Sequence, residues 1–196
     1  MSEKNQKNKV IFICFVGLMA ALCMVSNYLQ IRIPIGGDAG TRIHFGNIFC
    51  LLSGYLLGGI GGGLAAGIGA SVFDLTDPIY APEFYITFLF KFLMAFICGM
   101  IAYSGKKQGK NFGRNVVAGI VGQLTYIVLY LSKTFVVKYW IEKNEIATVW
   151  TMLIPKAATS LTNGAIAVII AVPLAFALRK ALDAAHLEQY LSFRDE

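Results

Sequence analysis

Gly46-Asn-Ile-Phe-Cys-Leu-Leu-Ser-Gly-Tyr-Leu-Leu-Gly-Gly-Ile-Gly-Gly-Gly-Leu-Ala-Ala-Gly-Ile-Gly-Ala-Ser-Val-Phe-Asp74 carries no charged side chain before its last residue. Such a stretch belongs in hydrocarbon, where a helix needs about 20 apolar residues to cross. Its centre, Gly58-Gly-Ile-Gly-Gly-Gly63, permits a tight reversal, which divides the stretch into helices over 46–58 and 60–75. Working outward, apolar runs predict further helices over about 10–30, 83–103, 116–137 and 148–177. The expectation is an all-α integral membrane protein, one domain over 1–196, with six transmembrane helices and both termini cytoplasmic. Pro155 and Pro173 are expected kinks in the last helix.

Composition agrees. Of 196 residues, 57% are hydrophobic and 14% charged, against roughly 25% charged in soluble domains. A soluble enzyme, a disordered chain and a secreted disulfide scaffold are excluded. Cys14, Cys23, Cys50 and Cys98 lie singly in apolar runs, without metal-ligand or disulfide spacing. The first apolar run is too long for a signal peptide.

The formal charge of +6 does not point to nucleic acid, because ten of the 17 cations fall in three segments outside the spans. These are Lys4, Lys7 and Lys9; Lys106, Lys107, Lys110 and Arg114; and Arg179, Lys180 and Arg194. Six passes put all three segments on one side, the cytoplasmic one. The opposite side receives the turn-rich segment from Arg32 to His44, the loop at Asp77-Pro78, and the connection from Lys138 to Glu145. Trp140 and Trp150 then fall near that outer face, where indoles favour the interface.

Ionisable groups inside a span are costly and tend to face a cavity or a partner. Lys91, Lys133 and Lys156 remain within the spans, with Asp74 and Glu83 at outer helix ends. Lys91 lies eight residues into its helix, about 12 Å deep. Lys156, Thr159, Ser160 and Asn163 share one helical face; so do Gln123, Tyr126, Tyr130 and Lys133, and so do Glu83, Thr87 and Lys91. Three polar stripes on consecutive helices can line one outward pocket, although hydrogen bonds between helices would also use them. Asp38, Thr41, Arg42 and His44, leading to Asn47, could close over its mouth as a glycine-hinged lid. Tyr80, Phe84, Tyr85, Tyr126 and Tyr130 could stack on a ring.

Gly61-Gly-Gly63-Leu-Ala-Ala66 matches a dinucleotide-binding pattern but lacks the strand that pattern requires. Spacings of four, at Gly59, Gly63 and Gly67 and at Gly61, Ala65 and Gly69, instead predict close helix packing. Neither a P-loop nor a zinc-protease motif is present.

Arg42-Ile-His-Phe-Gly-Asn47, Leu51-Leu-Ser-Gly54, Ala65-Ala-Gly-Ile-Gly-Ala-Ser71 and Asp74, followed by Lys91, resemble the substrate-binding (S) component of energy-coupling factor (ECF) vitamin transporters, riboflavin-type subgroup. The resemblance implies that helices 1 to 3 dock on a transmembrane coupling subunit joined to two cytoplasmic ATPases, while helices 4 to 6 and the outer loops hold the vitamin. The family's Ala-x-x-x-Ala docking motif corresponds to Gly17-Leu-Met-Ala-Ala21, or to a register starting at Ala20. Substrate contacts on the last helix map to Lys156 and Asn163. The resemblance further implies capture from outside and delivery inward by toppling, at the cell membrane, with no catalysis and no cofactor in this chain. Riboflavin is slightly favoured as substrate; the lysines would also suit pantothenate, and pyridoxine or a hydroxymethylpyrimidine stays open. The rival is a stand-alone six-helix secondary transporter or membrane enzyme. A secondary transporter would predict repeated halves, and these halves do not align.

Overall fold

The computed structural model describes residues 3–35, 38–106 and 108–191. Gly36 and Gly37 of the expected lid, and the cations Lys107 and Arg194, lie outside them. Five helices are long and apolar enough to cross a membrane. They are α1 (Glu3–Asn27), α2 (Gly46–Leu75), α3 (Phe84–Tyr103), α4 (Phe112–Phe135) and α5 (Ile146–Ala184). A π-helical segment, Val136–Ile141, prolongs α4, and α5 runs through Pro155 and Pro173 as a single helix.

Within α2 the backbone at Gly58 takes φ 75° and ψ −165°, a region open essentially to glycine alone. Ser53 Oγ then lies 2.9 Å from the Gly62 carbonyl oxygen, and a Cβ on Gly62 would sit 2.6 Å from the Gly54 Cα. In a straight helix residues nine apart are about 13 Å from one another, so the chain folds back on itself at Gly58. The break frees carbonyls that lipid could not satisfy. Arg179 Nη2 donates to Tyr55 O at 2.6 Å, and the Tyr103 hydroxyl donates to Leu56 O.

Both glycine stripes of the second arm, 59–75, are used for close approach. Gly59, Gly63 and Gly67 lie against Phe96 and Met100, Phe92, and Phe88 of α3, whose three phenyl rings form a stack. On the other stripe, Gly61 meets Phe12 and Gly69 meets Ala20 of α1. The first arm packs Gly54 on the α3 backbone at Ala95. As a result α2 is the most buried helix, although Ile60, Ile68 and Leu75 of its second arm face outward, as do large apolar side chains along α1, α3, α4 with its extension, and α5. Trp140 and Trp150 are among these.

The main departure from an all-helical expectation is a β-hairpin. β1 (Gln30–Ile35) pairs antiparallel with β2 (Asp38–His44), from Gln30 opposite His44 to Ile35 opposite Asp38. Pro34, which has no N–H to give a ladder, sits where the register shifts between Ile33 and Ile35. The alternation Ile31-Arg-Ile33 was the strand signal, masked by the neighbouring proline and glycines.

Candidate functional site

A cavity of about 280 Å³ lies under this hairpin, close to the lower end of the usual small-ligand range of ~300–1,000 Å³. β2 contributes Gly40, Thr41, Arg42 and His44; α2 ends on it with Asp74; Ile79 and Tyr80 come from the loop after α2. Glu83, Ile86, Thr87 and Phe90 lie at the start of α3, while α4 and its π-helical extension supply Tyr126, Tyr130, Lys133, Thr134, Val137, Lys138 and Glu142. Lys156, Ser160 and Asn163 come from α5. The three predicted polar stripes therefore meet at one cavity, and the hairpin covers it.

The walls hold ion pairs. Arg42 Nη2 donates to Asp74 Oδ1 at 2.9 Å, and its guanidinium lies 4.1 Å from the Tyr80 ring centroid and 5.1 Å from that of Phe73. Lys133 pairs with Glu83, tying α4 to the start of α3. Lys138 pairs with Glu142 one turn on, at 2.9 Å. Tyr126 and Tyr130 present parallel rings, 6.0 Å between centroids and 4° between planes, a flat surface on which an aromatic ligand could lie.

His44 accepts a hydrogen bond at Nδ1 from the Gly46 amide at 3.1 Å. Burial first, and then the charges of Lys91 and Arg42, hold its pKa well below the ordinary imidazole value. The ring is therefore neutral, and its proton is on Nε2.

Asn163 was expected to touch substrate. Its Nδ2 donates to the Arg42 carbonyl at 2.8 Å, and its Oδ1 accepts from the His44 amide at 3.2 Å. One amide side chain thus clips β2 to α5 at the cavity wall.

Lys91, Asn47 and Gln123 do not line the cavity; they lie behind Tyr126. Lys91 is buried, 3.9 Å from the Tyr126 ring centroid, and donates to Asn47 Oδ1. Asn47 Nδ2 in turn donates to Gln123 Oε1 at 3.2 Å. Spacing along α3 put Lys91 on the right face, but it could not show that Tyr126 stands in between. Lining positions outside the expected stripes, lid and aromatic set are Ile79, Ile86, Phe90, Thr134, Val137, Lys138 and Glu142. Lys138 and Glu142 read in sequence as a neutral connection, and they are indeed paired with each other.

On α1, Gly17 and Ala21 face outward, and a Cβ on Gly17 would meet nothing within 4 Å. Ala20 is buried, its carbonyl 2.2 Å from where a Cβ on Gly69 would be. The register starting at Ala20 is thus spent on internal packing. Among the described residues no cluster of His, Cys, Asp and Glu could hold a metal ion.

No curated protein matches the chain. The sequence model of the family described as ECF-type riboflavin transporter, S component, matches residues 7–180. With that match over most of its length, the chain belongs to the S-component family of ECF-type riboflavin transporters, membrane proteins of vitamin uptake.

Proposed function

We propose that this chain captures a vitamin from outside the cell and delivers it inward on a coupling subunit whose partner ATPases supply the energy, with a flavin slightly favoured as cargo. The observation that carries this reading is the hairpin-covered cavity, where an aromatic surface and several ion pairs converge at one end of the helices. Arg42, His44, Asp74, Glu83, Thr87, Tyr126, Tyr130, Lys133, Lys156 and Asn163 are the proposed site, with Lys91, Asn47 and Gln123 acting from behind it.

The reversal at Gly58 supports counting α2 as two passes, which gives six in all and returns both termini to the side rich in Lys and Arg. This puts the cavity on the outer side of the cell membrane. Gly17 and Ala21 offer a small, outward surface on α1, which suits close docking of another helix.

Two measurements test the proposal. Equilibrium binding of a vitamin panel to detergent-purified protein should find a saturable ligand, and Lys156→Ala should weaken it by about tenfold, near 1.4 kcal/mol. A panel without binding rejects the capture role. Co-purification should recover a coupling subunit and ATPases, and Gly17→Leu or Ala21→Leu should reduce that recovery. Full recovery with both variants would place docking elsewhere.

A further inference from the structure

The charges around the cavity do not balance. Arg42, Lys133 and Lys138 are matched one to one by Asp74, Glu83 and Glu142. Lys156 is a fourth cation on the wall, and it too has an interaction partner. Lys91 is the fifth cation, and among the described residues its neighbours within bonding reach are neutral: the Asn47 amide and the Tyr126 ring. An uncompensated charge sealed from water is costly unless something of opposite sign joins it.

A second, independent observation concerns hydrogen bonding. From Lys91 the donors all run one way: ammonium to Asn47 Oδ1, then Asn47 Nδ2 to Gln123 Oε1. The relay ends at Gln123 Nε2, a buried N–H group with no hydrogen-bond partner among the described residues. Gln123 is 3% exposed, one turn before Tyr126 and packed on Gly164, the neighbour of Asn163. An ammonium polarises such a chain so that its last N–H becomes a stronger donor. A buried donor left unmade is costly, so the layer behind Tyr126 lacks both a negative charge and an acceptor.

Resting on the capture role above, we propose that the preferred cargo is a ring-bearing anion, a carboxylate or phosphate ester, whose charge is balanced by Lys91 and the Asn47–Gln123 relay while its ring lies on Tyr126 and Tyr130. A neutral vitamin would leave the fifth cation unmatched.

Calorimetric titration of the purified full chain with matched ring-bearing pairs tests this: riboflavin 5′-phosphate against riboflavin, and nicotinate against nicotinamide. The first pair probes a phosphate and the second a carboxylate. In at least one pair the anion should bind about tenfold or more tightly, and Lys91→Met should shrink that ratio toward one. Gln123→Leu should shrink it less, and serves where Lys91→Met does not fold. A parent protein that binds the neutral member as well as the anion, or better, in each pair it accepts overturns the anion preference and leaves vitamin capture standing. An anion preference that survives both variants overturns the assignment to Lys91 and its relay. Failure to bind any of the four compounds, alongside a silent vitamin panel, rejects the capture role itself.

Discussion

Two buried cations, at opposite ends of the helices, are treated differently. Arg179, near the Gly58 turn, is bonded at both terminal nitrogens, while its buried Nε has no partner among the described residues. Nη2 donates to Tyr55 O at 2.6 Å and to the Tyr103 hydroxyl at 2.9 Å, while Nη1 meets Glu188 at 3.2 Å. Lys110 reaches the same carboxylate at 2.9 Å. Lys91, beneath the cavity, has an amide and a ring and, among the described residues, no carboxylate within bonding reach. Burial and charge alone do not mark a binding residue, since both cations have them. The difference lies in the partners: Arg179 meets a carboxylate, shared with Lys110, and is architecture; Lys91 meets only neutral groups within bonding reach among the described residues.

The sharpest challenge to the architectural end is Gly62→Val. Its Cβ would fall 2.6 Å from the Gly54 Cα, backbone against backbone, so relaxation needs the two arms to part. We expect a loss above about 4 kcal/mol, seen as aggregation on size-exclusion chromatography. A monodisperse Gly62→Val protein would mean that the arms are not held this closely.

Arg179→Met comes next. It removes the cap from the buried Tyr55 O and leaves Glu188 to Lys110 alone, and a buried acceptor left without its donor costs about 1–3 kcal/mol. The readout is thermal unfolding in detergent without ligand. Lys91→Met, in the same assay, should leave the ligand-free protein about as stable as the parent, because the lost bond to Asn47 is offset by removal of an unmatched charge. Equal losses for the two variants would erase the distinction drawn between them.

The smallest effect is a pH dependence. Burial tends to raise the Glu188 pKa, but Lys110 and then Arg179 outweigh it and hold the carboxyl below its usual range. A depressed folded pKa means stability that is present above the unfolded value and lost as pH falls through the folded one. Melting temperature should therefore drop on acidification, and Glu188→Gln should flatten that drop. Parallel curves would detach Glu188 from the latch.

How much was legible beforehand follows from what each signal encodes. The Gly58 reversal and both glycine stripes could be read because glycine spacing reports backbone approach directly. The polar faces of α3, α4 and α5 could be read from the helical period, and they did meet. Depth could not: the period gives the direction of Lys91 and is silent on Tyr126 lying in front of it. Nor could the hairpin, whose short alternation competed with Pro34 and Gly40, both strong turn formers. The dual role of Asn163 was beyond reach for another reason, since its partners lie 119 and 121 residues away.

That asparagine has a kinetic consequence. Because a single amide holds both the Arg42 carbonyl and the His44 N–H, turning that side chain away releases both bonds together, while the Arg42–Asp74 pair holds the same strand to α2 separately. Lifting the hairpin therefore takes two ruptures on different helices, and the residence time of any guest underneath follows how often they coincide.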